Sequence, residues 1–278
     1  MAVDPKLVRD LREATGAGMM DCKKALEAAG GDFDAAKDHL RAQGAAKAEK
    51  KSSRSMGEGR IFTAIAEDGR TGAAVAMSCE TDFVAKTPEF VAFGEGLAQH
   101  MLANEVADTE ALMAQAYGGA DSVEAALKDL IGKLGENMSV ARAVRLSSPS
   151  GRVGTYLHHD LKKLGIAAVK TEAEPGAAEE TLKALCMHVV FNETQAMRRE
   201  DLDQSEIERE RAIFLEQVKD KPENIQDKIV SGKLESYYAD RVLPEQPWIH
   251  ENKTTVAKAI SAALGAGSEV EDFAYVKV

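Results

Sequence analysis

Two stretches of this 278-residue chain repeat one layout. Gly59-Arg60-Ile61 returns as Gly151-Arg152-Val153, and Gly72-Ala73-Ala74-Val75 returns within Gly165-Ile166-Ala167-Ala168-Val169. Each copy reads strand, turn, strand, loop, helix. In the first, Ile61, Thr63 and Ile65 share one face and Phe62, Ala64 and Ala66 the other. Only Thr63 is polar, so both faces of that strand are expected to be covered. Glu67-Asp68-Gly69-Arg70 supplies a hairpin turn, because Asp-Gly accepts the left-handed backbone that a tight turn needs. Thr87-Pro88 then opens a helix as N-cap and first residue, with Phe90, Phe93, Leu97 and Met101 on one face. Leu182, Leu185 and Val189 mark the matching helix of the second copy. A duplication of this kind restricts the chain to an α+β fold built on two related subdomains with antiparallel sheets.

The flanks add smaller pieces. Three short helices precede the first copy. Asp4-Pro5 starts one with Leu7 and Leu11 inward, and Thr15-Gly16-Ala17-Gly18 breaks it. Met19, Cys22, Leu26 and Ala29 form the stripe of the next, which Gly30-Gly31 ends. Asp32 caps the third, with Phe33, Ala36 and Leu40 inward and Gly44 as its C-cap. Helices this short enclose little core, so the module is expected to be marginal alone. Lys47, Lys50, Lys51 and Arg54 follow among Ala and Ser without an apolar stripe, which reads as a linker, helical at most at its start. The second copy carries an insertion. Ile207, Phe214 and Val218, the turn Asp220-Lys221-Pro222, then Ile225 and Ile229, describe an antiparallel helical hairpin. A helix at 255–264 and a strand alternating Phe273, Tyr275 and Lys277 with Ala274, Val276 and Val278 close the chain. The expected domains are a three-helix N-terminal domain (1–45), a linker (46–58), a core N-subdomain (59–146), the first part of a C-subdomain (147–201), the hairpin (202–241), and the end of the C-subdomain with a C-terminal module (242–278).

Charge and motifs narrow the function. The net charge is −11, which disfavours a phosphate-backbone binder, so no direct nucleic-acid partner is expected. No apolar run of membrane-spanning length occurs, and the first ten residues resemble neither a secretory nor a transit segment, so a cytoplasmic protein without a membrane partner is expected. Cys22, Cys79 and Cys186 lie far apart, without metal-ligand pairing. The phosphate-loop and dinucleotide glycine motifs are missing, as are HExxH and GxSxG. The expectation is a protein that is not an enzyme, with no cofactor, no metal site and no catalytic residue. A Cys79 nucleophile would need a histidine such as His158 or His188, and a half-buried strand thiol is the commoner case. Cys186 and His188 lie two apart on a helix, and His158-His159-Asp160 reads as a polar turn whose two rings should face opposite ways.

Two features resist the bland reading. Met20 lies off the helical stripe among Lys23, Lys24 and Glu27, either as a surface methionine without a role or as an adaptable contact residue. Thr81-Asp82-Phe83-Val84-Ala85-Lys86 joins a strand end to a capped helix. Phe83 either fills the local core or protrudes beside Asp82 to wedge into a partner.

At these residues the chain resembles a known family. Leu11-Arg12, followed by Thr15-Gly16-Ala17-Gly18-Met19-Met20-Asp21-Cys22-Lys23-Lys24-Ala25-Leu26, is similar to the N-terminal signature of bacterial elongation factor Ts. Cys79-Glu80-Thr81-Asp82-Phe83-Val84-Ala85-Lys86 resembles its second signature. The likeness runs over essentially the whole chain, including the hairpin and Glu245-Gln246-Pro247-Trp248-Ile249. It implies a small ubiquitin-associated-like three-helix N-domain, a linker, two related α+β subdomains and an inserted helical hairpin. It also implies guanine-nucleotide exchange on the translation GTPase elongation factor Tu, bound in its GDP and nucleotide-free forms. By the resemblance, the Asp82-Phe83 loop is inserted, and Thr81, Asp82, Phe83 and Val84 match the segment linked to magnesium displacement. Met19 and Met20 match the meeting point of N-domain and G domain, and His158 a contact in the second subdomain. The C-terminal module is expected to touch the GTPase too, and a homodimer or a higher complex with it is compatible. The chain departs from the pattern at Asn192-Glu193-Thr194-Gln195, where a Pro-containing turn is expected, and at Ser78, where Asn is common. A binding adaptor that leaves nucleotide release unchanged is the rival reading.

Overall fold

The computed structural model describes residues 3–278. In chain order the first elements are α1 (Pro5–Thr15), α2 (Met19–Ala28), α3 (Phe33–Lys51), β1 (Glu58–Ile65), β2 (Thr71–Cys79), α4 (Asp82–Ala85), α5 (Pro88–Ala103), α6 (Thr109–Ala114), α7 (Val123–Leu134) and β3 (Met138–Ser147). They are followed by β4 (Gly151–Leu157), β5 (Lys163–Lys170), α8 (Pro175–Asn192), α9 (Gln204–Val218), α10 (Glu223–Ala239), β6 (Pro247–Trp248), β7 (Glu251–Thr255), α11 (Val256–Leu264) and β8 (Glu269–Lys277). The chain divides into two compact units. One runs to Phe62 and resumes over Val75–Val144 with Val278, and the other comprises Thr63–Ala74 and Arg145–Lys277.

In the first unit the starts of α1 and α3 are capped as their sequences demand. The Asp4 carboxylate accepts from the Lys6 amide at 2.8 Å, and Asp32 from the Ala35 amide at 2.8 Å. Val8, Leu11, Cys22, Ala25, Leu26 and Ala36 make the small core, with Leu7, Phe33 and Leu40 packed around it. Two expectations fail here. Met19 does not join the inward stripe; it is 46% exposed. The third helix does not stop at Gly44 but continues to Lys51, so the start of the expected linker is helix. The reason is a helix crossing. Gly44 is buried against Gly132 of α7, and a Cβ on Gly132 would lie 2.9 Å from the Gly44 Cα. Two glycines facing each other let the backbones touch, so a helix too small to bury itself gains a second partner. The Lys51 ammonium then donates to the Gly135 carbonyl just past the end of α7, at 2.5 Å.

The two three-stranded sheets share one strand order. It is β1-β2-β3 in one and β4-β5-β8 in the other, so in each a third strand lies beside the second strand of a hairpin. The repeat in the sequence corresponds to this shared order. In the β1-β2 turn the Asp68 carboxylate accepts from the Arg70 amide at 2.9 Å, and Gly69 takes the left-handed conformation at φ 69°. In the second unit β4 and β5 pair antiparallel from Gly151↔Lys170 to Leu157↔Leu164, and β8 pairs antiparallel with β5. Helix α8 lies directly on this sheet. Its Leu182, Leu185 and Val189 meet Ala167, Val169, Leu243, Trp248 and Ile260 in the core.

The hairpin is α9 and α10, tied near its tip by the Gln226 amide donating to the Lys219 and Lys221 carbonyls. Its buried residues are Ile207, Val218, Val230 and Tyr237, whereas the expected Ile225 is exposed. At its base Arg199 makes paired contacts to Glu235 (2.9 and 2.7 Å) and Glu245 (2.8 and 2.6 Å). Its guanidinium also lies 4.5 Å from the Tyr238 ring centre.

The α3–α7 crossing generates a prediction. Gly132→Ala forces the two backbones apart and should lower stability by about 1–3 kcal/mol. Urea unfolding will show this as a lower midpoint at unchanged slope. A variant with the parent's midpoint would contradict the close approach.

Candidate functional site

Strand β2 ends at Cys79, and the next two residues are pinned on both sides. The Glu80 carboxylate accepts from the Asn137 amide at 2.6 Å and from the Arg54 guanidinium at 3.4 Å. In return, the Thr81 amide and hydroxyl donate to Glu136 at 3.0 and 2.6 Å. Asn137, buried, spends its side-chain amide on the Ser52 and Arg54 carbonyls at 3.3 and 3.0 Å. The end of β2, the turn between α7 and β3, and the chain leaving α3 are thus one hydrogen-bonded knot.

From this knot one turn of helix, α4, projects. Thr81 is its N-cap, its oxygen accepting from the Val84 amide at 3.4 Å. A single helical turn sends neighbouring side chains in different directions. Val84 and Ala85 point inward and are buried, while Phe83 points out and is 79% exposed. The core reading of Phe83 is therefore excluded; Val84 and Ala85 occupy the interior in its place. Asp82 pairs with Lys86 at 2.6 Å, and that bond raises the Lys86 pKa. Burial of an aromatic of this size is the usual outcome, so its exposure on an anchored loop sets it apart from the core phenylalanines.

The remaining expected residues fall as follows. Met20, at the start of α2, is 60% exposed beside the partly exposed Met19. His158 stands in the β4-β5 turn with Nδ1 3.0 Å from an Asp160 carboxylate oxygen. The two histidine rings do not face opposite ways. Their centres are 4.1 Å apart, because β4 stops at Leu157 and the turn ends the strand alternation. Among the described residues no cluster of three or more His, Cys, Asp or Glu could hold a metal ion.

The thiols are dressed as structural groups. Burial, helped by the Glu136 carboxylate, pushes the Cys79 pKa up to about 11, and its thiol donates to the Thr81 carbonyl at 3.1 Å. Protonated at neutral pH, it lacks the thiolate that nucleophilic chemistry requires. Cys186 is also raised by burial and donates to the Gly154 carbonyl at 3.2 Å. His188 is lowered by burial, hydrogen-bonded to Gln246 at 2.9 Å and stacked on Trp248.

Two residues escaped the sequence reading. Glu136 carries no motif, and nothing in the sequence says that it meets Thr81 across a separation of 55 positions. Phe191, near the end of α8, is 77% exposed. Its offset from the Leu182, Leu185 and Val189 stripe was the available signal.

The model of the family described as Elongation factor TS matches residues 80–278. Over 278 residues the chain is 38% identical to Elongation factor Ts of Clostridium botulinum (strain Alaska E43 / Type E3), covering 99% of this chain and 92% of that protein. It is 40% identical over 280 residues to Elongation factor Ts of Alkalilimnicola ehrlichii, covering 100% and 92%. Elongation factor Ts of Thioalkalivibrio sulfidiphilus is likewise 40% identical, over 281 residues with the same coverage.

This chain belongs to the elongation factor Ts family. The family match opens at Glu80, so the whole projecting loop and its Glu136 anchor lie inside it. Met19 and Met20 lie before that match but within the span shared with the A. ehrlichii relative.

The knot also carries a pH signature. The Asn137 amide, and then the Arg54 charge, hold the Glu80 carboxyl below its ordinary value of 4.5. A depressed folded pKa stabilises the native state above the unfolded value, and that contribution is lost as pH falls through the folded value. The melting temperature of the parent should therefore drop more steeply below about pH 4.5 than that of Glu80→Gln, whose amide cannot ionise. Parallel curves would contradict the pairing.

Proposed function

We propose that this chain is a guanine-nucleotide exchange factor for elongation factor Tu, acting in the cytoplasm during polypeptide elongation. The observation that carries the reading is Phe83, exposed on a helical turn whose base is fixed by Glu80, Thr81, Glu136 and Asn137. Membership of the elongation factor Ts family supports it.

Exchange makes and breaks no covalent bond, so it calls for shape and charge rather than a nucleophile or a proton relay. A GTPase holds its nucleotide through magnesium and backbone donors around the phosphates. Phe83 enters a groove of the GTPase as an apolar wedge, and Asp82 brings a carboxylate toward the same region. Thr81 and Val84 hold the wedge at its height. Displacement of the elements around the magnesium weakens the nucleotide's hold. Met19, Met20 and His158 supply further contacts that keep the partner seated.

The magnitudes require this division of labour. Raising release by ~10⁴ needs a barrier lower by roughly 5.5 kcal/mol. Truncating a buried aromatic typically costs about 3–5 kcal/mol. Phe83 alone falls short, and several contacts must share the work.

Stopped-flow release of a fluorescent GDP from elongation factor Tu tests the reading. The parent should raise the release rate with concentration to a plateau. Phe83→Ala should lower that plateau by at least about tenfold while its melt stays within about 0.5 kcal/mol of the parent, as befits an exposed side chain. Met20→Ala should shift the concentration needed and leave the plateau nearly unchanged. Binding without any change in release would make the chain an adaptor. Loss of the cooperative melt in Phe83→Ala would return Phe83 to a structural role.

A further inference from the structure

We infer that Glu136 is the positioning residue of the exchange loop, holding Phe83 at its working height through Thr81; this rests on the function proposed above. Glu136 lies in the turn between α7 and β3, 55 positions from Thr81, and is half-buried. Its two carboxylate oxygens take two different donors of one residue, the Thr81 amide at 3.0 Å and the Thr81 hydroxyl at 2.6 Å. A fork of this kind fixes both the position and the rotation of the residue it grips.

That residue is the N-cap of α4. With its proton given to Glu136, the Thr81 hydroxyl oxygen has a lone pair aimed at the Val84 amide, 3.4 Å away. A four-residue helix has no stability of its own, so its direction is set by its anchors, the N-cap Thr81 at its start and the buried Val84 and Ala85 on its inner side. Phe83 is the second residue of that turn. A rotation at Thr81 therefore swings the Phe83 ring directly, since 79% exposure leaves it little packing of its own.

The grip is doubled by a reciprocal strap. Glu80, beside Thr81, accepts from the amide of Asn137, beside Glu136, at 2.6 Å. Adjacent residues of the two segments thus exchange carboxylate-to-amide bonds in opposite directions. Asn137 extends the strap to the Ser52 and Arg54 carbonyls, just beyond α3. The segment leading from the Met19 and Met20 surface is therefore tied to the same turn that holds the wedge. The ring enters its groove after the partner is seated, so a preorganised wedge loses less conformational freedom at that later step, and the gain falls on the plateau rate.

The test is a double-mutant cycle between Glu136 and Phe83, read by fluorescent GDP release from elongation factor Tu. Glu136→Ala should lower the plateau by about tenfold, the scale of one charge-assisted hydrogen bond, with the half-saturating concentration within about twofold. Glu136→Gln, which keeps one acceptor oxygen and puts a donor in place of the other, should recover part of the loss. In a Phe83→Ala background, Glu136→Ala should add less than about twofold, because a residue acting through the ring has nothing left to position. Amide hydrogen exchange at Thr81 in the free chain should quicken in Glu136→Ala. Glu136→Asp, whose shorter arm retracts the carboxylate, carries the same expectation should the alanine variant fail to melt cooperatively. A parent that accelerates release with Glu136→Ala or Glu136→Asp matching it overturns the positioning role alone. Full additivity with Phe83→Ala, or a shift in half-saturation in place of the plateau, does the same. A parent that leaves release unchanged overturns the function, and the role with it.

Discussion

The loop that carries Phe83 depends on two carboxylates that cross. Glu80 takes the Asn137 amide and Glu136 takes the Thr81 amide and hydroxyl, so each segment both gives and receives. Backbone amides at a strand end and in a helix-to-strand turn are orphans that must find acceptors when water is excluded. Here each is satisfied by an acid from the other segment. Two of the three bonds are 2.6 Å, as a charged acceptor favours, and the depressed Glu80 pKa is the same fact seen from the proton's side. This knot fixes the start of the four-residue helix, and the buried Val84 and Ala85 hold its other side, so together they set the direction of the exposed phenylalanine.

A rigid base under an exposed apolar tip is a division of labour suited to altering a partner. Val84 and Ala85 bury, Phe83 does not, and the contrast arises within one turn. The protein keeps the tip exposed at little cost to its own stability, since the neighbouring residues already fill the interior. The thiol at the foot of the loop is protonated and spent on the Thr81 carbonyl, so it stiffens the loop rather than reacting. The acids Glu80, Asp82 and Glu136 are likewise each hydrogen-bonded, to the Asn137 amide, the Lys86 ammonium and the Thr81 hydroxyl. Both the loop and its Glu136 anchor lie within the span matched by the elongation factor Ts family.

How much of this was legible in the sequence varied with the range of the interaction. Helix starts at Asp4, Asp32 and Thr87, and the Asp68-Gly69 turn, follow local chemistry, and the structure carries them. The repeat of Gly59-Arg60-Ile61 and Gly151-Arg152-Val153 corresponds to two sheets of the same strand order. The failures are tertiary. Gly44 has the composition of a helix stop, and only the facing Gly132 makes it a crossing point instead. His158 and His159 alternate on paper, but the strand ends at Leu157, before either. The sequence leaves Phe83 between core and surface, because only the fold decides that Val84 and Ala85 fill the interior there. Glu136 was invisible because its partner lies 55 positions away and neither residue sits in a periodic pattern.

An exchange factor of the proposed kind must bind elongation factor Tu better when the nucleotide is absent than when GDP is bound. Linkage requires that the factor by which the chain weakens GDP equal the factor by which GDP weakens the chain. The most direct measurement is calorimetric titration of the chain into nucleotide-free and into GDP-saturated elongation factor Tu, at one salt concentration and with magnesium present. The account predicts binding weaker by at least about a hundredfold in the GDP-saturated case, a coupling near 2.7 kcal/mol. Equal affinities for the two forms would contradict it, because a chain indifferent to the nucleotide cannot drive it out.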